Sequence, residues 1–152
     1  MITIRFKVRG LTRIFEKSFI GAAFKRTTKS ALRGFGAYVR AIARNSLGKG
    51  DKKSKPGSPP TSRTKFLKNS IQFGVDERAL SVVIGPVKRP GVAKSVTGLV
   101  PPLLEYGGTT MWLPPKERRR KRVMYRARPF MRPGFAKGLP KLPEIWERAK
   151  KR

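Results

Sequence analysis

Hydrophobic and polar positions change period several times along the chain. Residues 2–8 alternate: Ile2, Ile4, Phe6 and Val8 on one side, Thr3, Arg5 and Lys7 on the other. That period of two predicts a half-buried strand ended by Gly10. Leu11, Ile14, Phe15, Phe19 and Ala22 recur at three- and four-residue spacing, which predicts a short helix broken near Gly21. A stronger helical stripe runs from about Phe24 to Leu47, through Ala31, Leu32, Phe35, Val39, Ile42, Ala43 and Ser46. Lys25, Lys29, Arg33, Arg40 and Arg44 fall mostly off it. Gly34 and Gly36 weaken this helix by about 1 kcal/mol each relative to Ala, which points to close approach by another backbone.

Residues 48–63 are polar, rich in Gly and Pro, and basic. They predict a loop without regular structure or apolar anchor, followed by a short helix through Leu67 capped by Thr61 or Ser62. Ile71, Phe73 and Val75, then Leu80, Val82 and Ile84, flank Asp76-Glu77-Arg78-Ala79. This predicts a hairpin with a four-residue turn. After a loop over residues 86–100, Pro101 opens one helical turn that Gly107-Gly108 closes. Residues 123–127 suggest a closing strand. A last helical region starts at Pro129 and carries Leu139, Leu142, Ile145, Trp146 and Ala149. With no repeat and no second domain, residues 1–152 read as one α+β domain. In it a small antiparallel β-sheet packs against one long helix and a C-terminal helix, with long basic loops.

Charge alters this picture. The 152 residues carry 37 Lys and Arg against 8 Asp and Glu, a net charge of +29. The flanks hold it: +10 in residues 1–47, +6 in 48–69 and +12 in 113–152, against +1 in 70–112. Self-repulsion of this size disfavours a lone compact monomer and calls for negative company. Apolar residues are 38%, with nine Phe, two Trp and three Tyr, enough for a modest core. No apolar run approaches the ~18 residues of a membrane span, and residues 1–5 lack the apolar core of a signal peptide.

Candidate chemistry is sparse. The absence of Cys removes disulfides and thiolate chemistry, and the absence of His removes the usual general base and the commonest metal ligand. Asp76 and Glu77 point apart on a turn and make no acid–base pair. Glu105 stands alone between Glu77 and Glu117, as a buried ion-pair partner for an Arg or as a contact to a neighbouring subunit. Gly48-Lys49-Gly50 lacks the spacing of a phosphate loop. No enzyme, metal or cofactor is expected. The run Arg118, Arg119, Arg120, Lys121, Arg122, flanked by Trp112 and Tyr125, has two readings of equal standing: nucleic-acid contact, or a solvated run that meets acidic protein.

Five motifs follow one another in the middle of the chain. They are Ala43-Arg44-Asn45-Ser46 ending the long helix, Pro56-Gly57-Ser58-Pro59-Pro60, Leu67-Lys68-Asn69-Ser70-Ile71 leading into a hairpin that ends Val83-Ile84-Gly85-Pro86, Leu104-Glu105-Tyr106-Gly107-Gly108-Thr109, and Ala127-Arg128-Pro129-Phe130-Met131-Arg132-Pro133. Over roughly residues 26–150 this order resembles the neck or tail-completion (head–tail joining, minor tail) proteins of tailed bacteriophages. The long basic loop and the Arg/Lys run depart from the family pattern. The resemblance implies a non-enzymatic virion protein, assembled in the host cytoplasm. It would form an oligomeric ring at the head–tail junction, with other neck and tail proteins as partners and DNA passing through. Glu105, Tyr106 and Trp112 are then candidates for ring contacts, together with loops 48–63 and 86–100 and the segment 109–123. Lys52, Lys53, Lys55 and Arg118 to Arg122 are candidates for contact with DNA or an acidic partner. The alternative class is a basic nucleic-acid-binding protein of ribosomal or packaging type.

Overall fold

A single helix, α1 (Phe19–Ser46), organises the molecule. In the computed structural model, which describes residues 2–5, 19–50, 52–62, 65–87, 100–112 and 119–151, this helix lies between a sheet and a C-terminal helical layer. Its stripe of Ala31, Leu32, Phe35, Val39 and Ala43 is fully buried, as the helical period predicts. Its start differs from expectation. The helix runs through Gly21, which is buried within it rather than breaking it; the rest of the short helix expected from Leu11 lies outside the described residues.

The sheet has the order β1–β5–β4, all antiparallel, from β1 (Ile2–Arg5), β4 (Ile71–Asp76) and β5 (Ser81–Pro86). The register pairs Phe73 with Ile84 and Val75 with Val82, so these four side chains share one face. Val82, Ile84 and Ile71 are buried on it against α1. The turn comes one residue later than the sequence predicts, at 77–80, with Leu80 at φ +45°. Asp76 Oδ1 sets it by accepting from the N–H groups of Arg78 and Ala79 at 2.9 and 3.0 Å.

Gly34 and Gly36 of α1 face opposite layers. A Cβ on Gly36 would lie 2.5 Å from Phe73 Cδ2 and 2.9 Å from Val82 Cγ2, while one on Gly34 would lie 3.0 Å from Ile145 Cγ2. They admit side chains of the neighbouring layers, not a second backbone.

Residues 48–50 and 52–62 carry more structure than their composition predicts. β2 (Gly48–Lys49) and β3 (Thr61–Ser62) form a two-residue parallel ladder that closes the loop on itself. Gly48 donates to Pro60 O at 3.2 Å, Thr61 Oγ1 donates to Lys52 O at 2.6 Å, and Pro60 is buried as an anchor. The short helix α2 (Phe66–Ser70) begins after Lys65, which adopts φ +35°, rather than ending at Leu67. Arg44 ties it to α1 by donating through Nε to Lys68 O at 2.8 Å, neutralising the helix end.

The closing strand does not join the main sheet. β6 (Gly108–Trp112) and β7 (Lys121–Tyr125) pair with each other as a separate two-stranded ribbon. Residues 109–112, to which the sequence pattern assigned no element, are therefore strand. The C-terminal region splits into α4 (Met131–Gly138), a 3₁₀ turn over Leu139–Lys141, and α5 (Leu142–Lys150). Pro129 stands ahead of α4 rather than in its first turn, and Phe130, 1% exposed, plugs the core. Gly134 and Gly138, four apart, let α4 settle onto α1: a Cβ on Gly138 would lie 2.6 Å from Val39 Cγ2, and one on Gly134 3.3 Å from Ala43 Cβ. Phe135 meets Phe35 edge-on at 6.0 Å, and Phe24 meets Trp146 at the same distance.

Candidate functional site

Helix α4 carries no local cap. Its N-cap is Phe130, which supplies no oxygen, and its first turn holds no acid. The N–H groups at a helix start need acceptors. Glu105 provides them from α3 (Val100–Tyr106), more than twenty residues earlier. Its Oε2 accepts from the backbone N–H of Phe130 and of Met131, both at 2.9 Å, and its Oε1 from Arg132 N at 2.8 Å. The carboxylate is 7% exposed. Negative charge there also meets the positive end of the helix dipole. The lone acid of the middle region is thus a cap within the chain, with both oxygens occupied; the sequence reading had given it an Arg partner or a subunit contact.

The same junction carries a second layer of bonds. Gly107, at φ +74°, ends α3 in the left-handed conformation, and its N–H donates to Leu103 O at 2.9 Å. A Cβ on Gly107 would approach Tyr125 O and Ala127 N at 3.1 Å, so glycine is required for conformation and space alike. Arg128 N donates to Leu104 O at 2.6 Å. Two of the five sequence motifs, Glu105-Tyr106-Gly107-Gly108 and Ala127-Arg128-Pro129-Phe130, are therefore interlocked halves of one joint. A third docks beside them: Gly57 N donates to Ala127 O at 2.9 Å, and Arg128 Nε to Ser54 O at 3.0 Å.

This docking sets the first basic segment at the base of the β6–β7 ribbon: Lys52, Lys53 and Lys55, all exposed, flank Ser54, whose carbonyl accepts from Arg128. Arg119, Arg120, Lys121 and Arg122 are exposed farther along the ribbon. Arg118 lies outside the described residues. Tyr106 is 60% exposed beside the joint. Trp112 pairs with Lys121 through the backbone register; its side chain is outside the described residues.

Along β7 and past its end the exposure alternates. Arg120, Arg122, Met124 and Arg126 face out, whereas Val123, Tyr125 and Ala127 are half-buried. Arg126 and Arg128 were not singled out in the sequence, although the signal was there: every second residue from 120 to 128 is Arg except Met124.

The described acids are all engaged. Glu77 binds Lys29 at 2.6 Å and Arg33 at 3.1 Å. Glu144 binds Arg148 and Lys141 at 2.6 and 2.9 Å, and Glu147 binds Lys150 at 2.7 Å. The hydrogen bond and charge of Lys29 hold the Glu77 carboxyl below its usual range, with Arg33 adding to it. Lys141, then Arg148, does the same for Glu144, and the Lys141 ammonium is raised in return by its bond to Glu144. Among the described residues no carboxylate pairs with Arg119, Arg120, Arg122 or Arg126. No group of three potential metal ligands occurs among them, and no described helix is long and apolar enough to cross a membrane. Comparison with protein-family models, curated proteins and solved structures finds no match for this chain.

Proposed function

We propose that this chain is a structural subunit of a tailed-phage particle, one member of an oligomeric ring at the head–tail junction through which DNA passes. The observation that carries this is the joint around Glu105. Three of the motifs behind the resemblance to neck and tail-completion proteins meet there, held by backbone bonds and one carboxylate. They serve architecture, since every group in the joint is used to fix the ribbon and the C-terminal helices against α1. Its natural setting is then the virion, assembled in the host cytoplasm, with neighbouring neck and tail proteins as partners and no cofactor.

Light scattering after size exclusion, with negative-stain microscopy, tests this on the full chain. A closed ring, alone or on addition to tailless particles, is the expected result. A protein that stays monomeric at tens of micromolar and does not bind particles refutes it. The second reading, a basic nucleic-acid-binding protein outside any particle, draws on the cations left without acidic partners among the described residues. A monomer that binds DNA tightly would favour it.

A further inference from the structure

The exposed face of β7, with its flanks, carries Arg120, Arg122 and Arg126, interrupted by Met124, which is 76% exposed. Side chains two residues apart on an extended chain project to the same side about 6.7 Å apart. Arg122 holds such a position within β7, Arg120 and Arg126 follow the same parity one residue beyond its two ends, and Met124 stands between. Continued as extended chain, the row spans ~20 Å at about 3.3 Å per residue. That length equals about six base-pair steps measured along a duplex axis at ~3.4 Å each. Lys52, Lys53 and Lys55 are exposed on either side of Ser54, which Arg128 holds two residues beyond Arg126, and no described acid pairs with Arg120, Arg122 or Arg126. Among the described strands the ribbon pairs only with itself.

We propose that this row is a track for the phosphodiester backbone of duplex DNA, bound without sequence reading. The proposal deepens the ring assignment by naming which surface meets the DNA, and it rests on that assignment only for its setting. A uniform row of one sign matches a uniformly charged polymer. Acidic protein faces carry mixed signs and would leave a row of this length partly unpaired. Arginine suits phosphate because its planar fork can donate two hydrogen bonds to one group. Half-buried Val123 and Tyr125 keep the opposite face of β7 turned away, so the contacts are to backbone, which positions without specifying sequence. Six neutralised phosphates give a slope of log K against log salt of about −5, and a loss of roughly a thousandfold between 50 and 200 mM salt.

The test is fluorescence anisotropy of two unrelated duplexes of about 30 base pairs, titrated with the full chain across that salt range. Three variants are compared: Arg120→Ser/Arg122→Ser/Arg126→Ser, the same positions as Arg→Lys, and Lys25→Ser/Lys137→Ser/Lys151→Ser. The last set removes equal charge from exposed positions of the helical layers. Expected are equal affinities for both sequences, at least a tenfold loss for the arginine-to-serine triple, and a slope reduced by about 3. The lysine triple should keep most of the binding and thereby exclude misfolding as the cause. Equal losses in the two serine triples would overturn the track, showing only diffuse charge. Displacement of the DNA by a charge-matched polyglutamate at equal concentration would also overturn it, in favour of an acidic protein partner. Light scattering on the same samples separates the outcomes: a ring without DNA affinity removes the track alone, and a DNA-binding monomer removes the ring alone.

Discussion

Replacing Glu105 with alanine removes one carboxylate and leaves three N–H groups without their acceptor. Those of Phe130 and Met131 are buried, since the two residues are 1% and 2% exposed; Arg132 is exposed and water can reach it. A buried donor left without a partner costs about 1–3 kcal/mol, and loss of an ordinary N-cap costs about 0.5–2 kcal/mol. Two unpaired buried donors and the lost dipole interaction together place Glu105→Ala at roughly 3–5 kcal/mol. In a protein of this size 1 kcal/mol moves Tm by about 2–4 °C, so the melting transition should fall by roughly 6–20 °C. Glu105→Gln keeps one acceptor oxygen but turns its NH₂ toward the N–H it used to serve, and should cost less. Glu105→Asp is one methylene short of the three donors and should fall between. Calorimetry or thermal circular dichroism at neutral pH reads all three. An alanine variant melting within about 1 °C of the parent would refute the capping role, whatever its effect on assembly.

Gly36→Ala should destabilise by up to about 2 kcal/mol, because the clash with Phe73 and Val82 costs about 1–3 kcal/mol and helix propensity returns only ~1 kcal/mol. Gly34→Ala, at the exposed side of α1 with one methyl at 3.0 Å, should stay within about 0.5 kcal/mol of the parent by the same offset; equal losses in urea melts would contradict the layer assignment. Arg128→Ala should speed hydrogen exchange at the Gly57 amide, which now donates to Ala127 O beside the Arg128–Ser54 bond; unchanged exchange would mean the loop holds without it. Glu77 has its folded pKa lowered from 4.5, so its ion pairs stabilise above about pH 4.5 and are lost as pH falls through the folded value. Glu77→Gln should accordingly flatten the acid limb of stability against pH, and an unchanged limb would argue that the pairs contribute nothing.

Much of the framework was legible. The buried stripe of α1, the Ile71–Ile84 hairpin and the stop at Gly107 follow from period and turn chemistry, which are local. What escaped depended on contacts between distant segments. Nothing around Phe130 announces that its helix borrows a cap from Glu105. The isolation of Glu105 among cations pointed outward, to an Arg or another subunit, because sequence distance hides backbone donors as partners. Composition likewise marked residues 48–63 as irregular, yet among the described ones Gly48 and Gly57 are held by backbone bonds to Pro60 and Ala127, at little cost in apolar surface. Gly21 was read as a breaker although a buried position in a well-packed helix tolerates glycine. The arginine row was visible at period two, but the density of the run at 118–122 drew attention to its charge rather than its spacing.

The joint at Glu105 has a topological consequence. The chain leaves it at Tyr106 and returns to it at Arg128, with Gly107 and Arg128 bonded to adjacent carbonyls of α3 and the carboxylate gripping the next residues. Everything between is an excursion closed at its base, and the core does not register its length. Lengthening such an excursion raises the closure entropy only logarithmically, about 0.6 kcal/mol per doubling. The ribbon is therefore a natural insertion point. Its reach and its charge can be rewritten, by selection or by design, while the α1 core and the C-terminal helices keep the same address.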